Sequence, residues 1–358
     1  MFSTDPVVYC VGDEYRIFFY TRFPSFAKIR VGGTEFDDCR CGIMRSAKGM
    51  RGITVPKSLL DECGEYTVCL DVITARVAYG TKTVKTVEKS YAFRPVKSGA
   101  PVRAFMTGDA HGNAQRSVKA AKTFGGFDFL IVNGDMSDKC EKTNSFEVAH
   151  NVAAELTRGE IPVVYARGNH ENRGAAAELI YDYIPLRNGL TYYTFRLGSI
   201  WGLVLDCGED KGDEHSEYGG SVRFHKFRKE QTAYMRELID DAQNAFAAPG
   251  VEHRVVVSHI PFIRDMNKTF TIENETYAEW AKLMFEIKPD ALLSAHMHTY
   301  EIMRPGSLHA RFPAPCPTVV GTECRDGYLG ATGLTFDKKG ITVDFVRSDG
   351  KTVLSEKI

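Results

Sequence analysis

Five short polar clusters, each just past an apolar strand-like run, constrain this chain more than any other feature. They are Gly108-Asp109-Ala110-His111, Gly134-Asp135-Met136-Ser137-Asp138, Gly168-Asn169-His170-Glu171, Ser258-His259 and His296-Met297-His298. In open α/β sheets the C-terminal edge of the strands is where ligands bind and where loops from different strands converge. Glycine precedes the polar residue in three clusters, which permits the tight turn that aims a side chain out of a strand end.

The runs around these clusters alternate between strand and helix. Strand-like Val102–Thr107, Phe127–Val132 and Pro162–Ala166 are separated by helical stretches near 114–123 and 145–157. The second of these places Phe146, Ala149, Ala153 and Leu156 on one helical face. A hairpin over 192–205, helices near 230–243 and 277–287, strands at 254–258 and 291–294, and a β-rich tail complete the pattern. Alternation of this kind predicts an α/β fold with helices covering its sheets. Residues 1–97 differ, with short β-rich runs such as Tyr15–Tyr20, Ala27–Val31 and Glu65–Leu70 between turn signals, the pattern of a small all-β sandwich. Pro95–Pro101 reads as a linker, so two domains are predicted, 1–97 and 98–358.

Composition narrows the function classes. The 358 residues, 43% of them hydrophobic, can bury two cores at about 150 residues per domain. A net charge of -1 excludes a broad polycationic surface, so nucleic acid is not the expected partner. No apolar run reaches the roughly 18 residues of a membrane span. Met1–Pro6 lacks a basic, then apolar leader, so a cytoplasmic location is expected. The nine cysteines form no CxxC pair and are expected to be reduced, mostly buried thiols. Oligomeric state has no signature in the sequence.

Each polar cluster alone has an ordinary reading. Asp-x-His can be an exposed loop pair, Gly-Asp-x-x-Asp a helix N-cap, Gly-Asn-His-Glu a turn, and His259 a satisfied histidine. Together they place five of the ten histidines, three aspartates and an asparagine on one rim. Imidazole nitrogens with carboxylate and amide oxygens, and no thiolate, suit two borderline divalent ions. A carboxylate between two such ions can bridge them.

The ordered set Asp-x-His, Gly-Asp-x-x-Asp, Gly-Asn-His-Glu, His and His-x-His resembles the calcineurin-like metallophosphoesterase superfamily over roughly residues 102–320. The resemblance implies a four-layer α-β-β-α sandwich, here preceded by the small all-β sandwich. It implies two divalent ions of Mn, Fe, Zn, Ni or Co, one held by Asp109, His111 and His298, the other by Asn169, His259 and His296, with Asp135 bridging. His170 would be the outer-sphere acid and Asp138 would orient it. Ala295 stands where the family usually has glycine, and Lys139 where some members carry a phosphate-gripping arginine. Purple acid phosphatases have a similar two-domain layout. Their iron-binding tyrosine replaces the residue found here as Asp138, and their first motif lacks the histidine seen at His111, so the chain resembles a non-purple member.

The implied reaction is hydrolysis of a small-molecule, lipid or nucleotide phosphoester, monoester or diester. A metal-bridging hydroxide would attack in line, with His170 as general acid. Two divalent ions outweigh two carboxylates and a hydroxide, so a near-neutral protein can still hold an anionic substrate. The alternative is a catalytically silent scaffold or binding protein of the same fold, whose signature, loss of metal ligands, is not seen. Arg167 is a candidate phosphate clamp, because its fork matches phosphate oxygens. The polar insertion Cys207–Arg228 is a candidate substrate-contacting loop carrying His215, Arg223 and His225.

Overall fold

The computed structural model describes residues 3–99 and 101–358. Two sheets lie face to face. The first runs, in spatial order, Tyr328–Asp337, Val102–Thr107, Phe129–Asn133, Pro162–Ala166, Val7–Val11, Glu14–Thr21 and Gly49–Pro56. The second runs Tyr193–Leu197, Ile200–Leu205, His253–Ser258, Ala291–Ser294 and Thr318–Arg325. Strand Thr318–Arg325 joins the two, pairing with Ala291–Ser294 at its start and with Tyr328–Asp337 at its end.

Strand periodicity explains the layering. Phe129 and Ile131 enter the core between the sheets, while Leu130 and Val132 pack under helices Ala114–Phe124 and Glu147–Thr157. In the second sheet Val255 and Val257 join the same inter-sheet core, and Val256 packs under helices Phe224–Asp240 and Asn274–Ile287. Strands buried on both faces read as continuous apolar runs, as these do. The result is helix, sheet, sheet, helix. Within each sheet the strands that precede the polar clusters are parallel, so their C-terminal ends share an edge.

The N-terminal region forms two layers of its own. Strands Val7–Val11, Glu14–Thr21 and Gly49–Pro56 make one, and Thr34–Asp37, Ser25–Val31, Glu65–Val77 and Gly80–Ala92 the other. Ile17, Ile29, Val55 and Val68 fill the space between. The first layer is also continuous with the large sheet, because Val8 and Tyr9 pair in parallel with Pro162 and Val163. The linker expected at 95–101 therefore interrupts neither the sheet nor the core. Parallel pairing across about 150 residues of sequence leaves no local signal, so it was invisible to pattern reading.

A second difference concerns the start of helix Phe224–Asp240, which begins inside the stretch expected to be loop. The Asp213 carboxylate accepts hydrogen bonds from the backbone N–H groups of Phe224 (2.9 Å) and His225 (3.1 Å). These are donors that the first turn of a helix cannot satisfy internally. A cap from eleven residues upstream is not readable in the local pattern. All nine thiols are free, and Cys10, Cys69, Cys140, Cys207 and Cys316 are buried. No helix among the described residues is long and apolar enough to cross a membrane.

One buried titratable group couples this packing to pH. His150, on helix Glu147–Thr157, is buried, and among the described residues its only polar partner is the Thr4 hydroxyl, 3.0 Å from Nε2. Burial lowers its pKa to about 4, so the fold holds a neutral ring that the unfolded chain protonates below its ordinary value of 6.5. Stability is therefore full above pH 6.5 and falls as pH drops towards 4, by at most about 1.4 kcal/mol per pH unit. Urea unfolding at pH 7 and pH 5 should show His150→Leu losing less midpoint than the wild type on going to pH 5.

Candidate metal centre

The sheet edge brings the predicted residues into two adjoining groups. Ligand-capable atoms of Asp109, His111 and His298 lie within 4.8 Å of one another, as do those of Asp135, His259 and His296. The Nε2 atoms of His111 and His298 are 3.3 Å apart. His259 Nε2 is 3.1 Å from Asp135 Oδ2 and 3.9 Å from Asp109 Oδ1, and His298 Nε2 is also 3.9 Å from Asp109 Oδ1. Asn169 joins the second group, its Oδ1 3.0 Å from His296 Nδ1. All seven residues predicted to hold metal thus converge.

The donor set fits divalent cations. Asp109 Oδ1 is buried with no hydrogen-bond partner among the described residues, yet His298 Nε2 stands 3.9 Å away, a spacing that a cation bound at about 2.0–2.2 Å to each can fill. The other sides of the ligands are already engaged. Asp109 Oδ2 accepts from the Thr322 hydroxyl and from the His296 backbone N–H (2.8 Å). His259 donates its Nδ1 proton to the Asn133 carbonyl (2.7 Å), which leaves Nε2 as the atom facing the site.

Charge accumulates accordingly. Burial opposes ionisation of Asp135, but the charges of His259 and His170 prevail and hold its carboxyl below the usual range. Burial also opposes a charge on His259, and Asp135 and Asp109 override it, raising this imidazole to about 10. His296 moves the opposite way, to about 4, because burial and the neighbouring His259 charge disfavour its protonation. A proton on His259 thus partly balances two carboxylates in a place suited to metal.

The backbone here is strained. Asp109, His111, Asp135, His296 and His298 have φ of 49°, 43°, 51°, 68° and 49°. Left-handed conformations are rare for residues with a Cβ and cluster at functional sites. Of the turn glycines, Gly134 has φ of 71° whereas Gly168 does not have a positive φ. Gly168 is needed for space, since a Cβ there would sit 2.1 Å from Asp135 Oδ1. Ala295 has no positive φ either, which is why alanine is accommodated before His296.

Glu171, the last residue of the Gly-Asn-His-Glu cluster, is central to the site. Its fully buried carboxylate accepts from the backbone N–H groups of Asp135 (2.8 Å), Met136 (2.9 Å), Ser137 (3.4 Å) and Gly168 (2.9 Å). One carboxylate therefore ties the Gly-Asp loop to the Gly-Asn loop. Burial and the Asp135 charge raise its pKa. The signal available in sequence was an acid three residues after a strand-end glycine, a spacing that also fits an ordinary turn.

His170 lies at the mouth of the site, with Nε2 3.8 Å from Asp135 Oδ2. Its Nδ1 is 2.5 Å from the backbone carbonyl of Asp138, whereas the exposed Asp138 carboxylate stays 3.8 Å away. The orienting group is the main chain of Asp138, not the side chain that was expected. Arg173, absent from the sequence reading, contacts His170 Nε2 through Nη1 at 3.2 Å. Its Nε and Nη2 hold both oxygens of buried Glu209 at 2.9 and 2.7 Å, which anchors the 206–218 segment beside the site.

A cleft of about 430 Å³ opens above the two groups, walled by Asp210, Arg264, Asn267, Phe270 and Met297. None of the four residues expected to bind substrate lines it. Arg167 is ion-paired with Asp206 (2.8 Å), and with Arg223 it lines a separate cavity. Exposed His225 pairs with Glu273 (3.0 Å), and His215 Nδ1 accepts from the Glu217 backbone N–H (3.3 Å). The insertion reaches the cleft through Asp210 instead.

The family model described as calcineurin-like phosphoesterase matches residues 102–300. No curated protein sequence matches the chain. A purple acid phosphatase, PPD1, from yellow lupin (Lupinus luteus) seeds is similar in fold, with a TM-score of 0.63 at 13% identity over 98% of this chain and 73% of that one. A dimetal phosphatase from Danio rerio gives 0.49 at 11% identity (71% and 97%), and the Plasmodium inner-membrane-complex anchor GAP50 gives 0.48 at 12% (73% and 89%).

The Glu171 arrangement yields a prediction. Glu171→Gln keeps the shape but turns an amide N–H towards backbone N–H donors. Urea unfolding should show a loss of about 2–3 kcal/mol, and metal analysis should find less than full occupancy.

Proposed function

This chain belongs to the calcineurin-like phosphoesterase family, and we propose that it hydrolyses small phosphoesters at a dinuclear metal centre built on Asp109, His111, Asp135, Asn169, His259, His296 and His298. The observation that carries this reading is the pair of adjoining ligand groups, Asp109, His111 and His298 beside Asp135, His259 and His296, beneath a cleft that also holds His170. Two divalent ions bound there would supply the charge that lowers the pKa of water and neutralises phosphoryl oxygens.

The residues of the chain supply the rest. Thr322 and the His296 N–H fix Asp109, and the Asn133 carbonyl fixes the His259 ring, so these groups need little reorganisation. The Nδ1 proton of His170 is held on the Asp138 carbonyl, and Nε2 faces the cleft beside Asp135. A proton on Nε2 is the one a departing alkoxide can take. Arg173 Nη1 occupies the same side of the ring at 3.2 Å and keeps it in place when that proton is absent. The cleft volume of about 430 Å³ suits a small ester, and Phe270 and Met297 offer an apolar wall to its alcohol portion.

The test is release of p-nitrophenol from mono- and diester substrates by protein loaded with Mn, Fe, Zn, Ni or Co. Metal-dependent turnover is expected on at least one of them. Two bound ions with no turnover on any substrate would instead favour the scaffold reading. His170→Ala should retain both ions and lose about tenfold or more in turnover. Asp138→Ala should lose less, since the orienting carbonyl remains. Asp135→Asn should lose metal, and full retention of both ions would contradict its bridging role.

A further inference from the structure

A second cavity lies apart from the metal cleft and is larger than it. It measures about 580 Å³ and lies between the 172–191 segment and the start of helix Phe224–Asp240. The loop after Gly168 divides the two spaces, for Asn169 and His170 line the metal cleft while Asn172 and Gly174 line this cavity. Volumes of this order are those of small-molecule sites.

The cavity contains a polar group lacking a counterpart. Arg167 is 7% exposed; among the described residues Asp206 is its one ion-pair partner, 2.8 Å from Nε, and Nε makes no hydrogen bond. Among the described residues, none accepts a hydrogen bond from Arg167 Nη1 or Nη2, and this guanidinium lines the cavity. Asp206 is itself committed to the Thr191 hydroxyl and the Gly208 N–H (2.8 Å). Phe224 and Phe227 flank the Arg167 guanidinium at 5.8 Å from each ring centroid, and Phe224 is backed by the main chain at Gly208, where a Cβ would meet the ring at 2.2 Å. Exposed Tyr181 stands on the wall. Rigid rings beside a guanidinium with free parallel N–H donors match a planar anion on an aromatic body.

The charge balance selects the head group. Arg167 and Arg223 are opposed by Asp206 on Arg167 and by Glu178 on the wall. A locally neutral site of this kind favours a single negative charge over the dianion of a phosphate monoester. We propose that the cavity is a binding site, distinct from the metal centre, for an aromatic carboxylate seated on Arg167 between Phe224, Phe227 and Tyr181.

Calorimetric titration of the protein with 2-naphthoate tests this, with neutral 2-naphthalenemethanol as control. Naphthoate should bind about tenfold or more tightly than the alcohol, and Arg167→Gln should abolish that preference. Because Arg167→Gln also leaves Asp206 unpaired, Ala175→Trp provides a second variant that fills the cavity from an exposed wall position. It should weaken naphthoate about tenfold or more. Asn267→Trp fills the metal cleft instead and should leave the affinity unchanged. The proposal is overturned by equal binding of acid and alcohol, by wild-type affinity in Ala175→Trp, or by loss of affinity in Asn267→Trp. The reading of the metal centre stands or falls separately, on turnover.

Discussion

The buried carboxylate of Glu171 is the contact on which the candidate site depends. Its two oxygens gather four backbone N–H groups from two strand-end loops, and these loops carry Asp135, Asn169 and His170. Loop backbone turned inwards at the end of a sheet would otherwise leave donors unsatisfied, at a cost of about 1–3 kcal/mol each. An acceptor with several lone pairs resolves this in one place. It also brings Gly168 close enough to Asp135 that no side chain fits between them.

The same compactness holds ligand residues in left-handed conformations. Five of the seven have positive φ without being glycine. Such strain, about 1–3 kcal/mol per residue, persists only where surrounding contacts over-determine the backbone. Here those contacts are the strand ladders on one side and reciprocal hydrogen bonds on the other. The N–H of His296 bonds Asp109, and the N–H of His170 bonds Asp135, so ligand side chains help to fix the main chain of other site residues. A metal held by these side chains would thereby be coupled to the stability of the loops.

One loop also separates two spaces. Residues 168–174 present Asn169 and His170 to the metal cleft and Asn172 and Gly174 to the larger cavity. Arg167 lines the second space, where Asp206, just past strand Ile200–Leu205, forms an ion pair with it. Sequence position next to Gly168-Asn169 suggested a phosphate clamp. An ion pair spanning 39 positions decided otherwise.

What the sequence determined is what depends on local periodicity and residue chemistry. Continuous apolar runs bounded by glycine and polar residues specify parallel strands buried on both faces, and the imidazole, carboxylate and amide donors at their ends specify divalent metal. Both were legible because each is carried by a few adjacent residues. Tertiary structure decided whatever depends on partners distant in the chain. Strand Val7–Val11 joins the large sheet through Pro162–Ala166, Asp213 starts a helix eleven residues later, and the Asp138 carbonyl takes the place of its carboxylate at His170. Backbone groups are identical at every position, so no sequence pattern says which carbonyl or N–H will be near. Only the packed fold sets those distances.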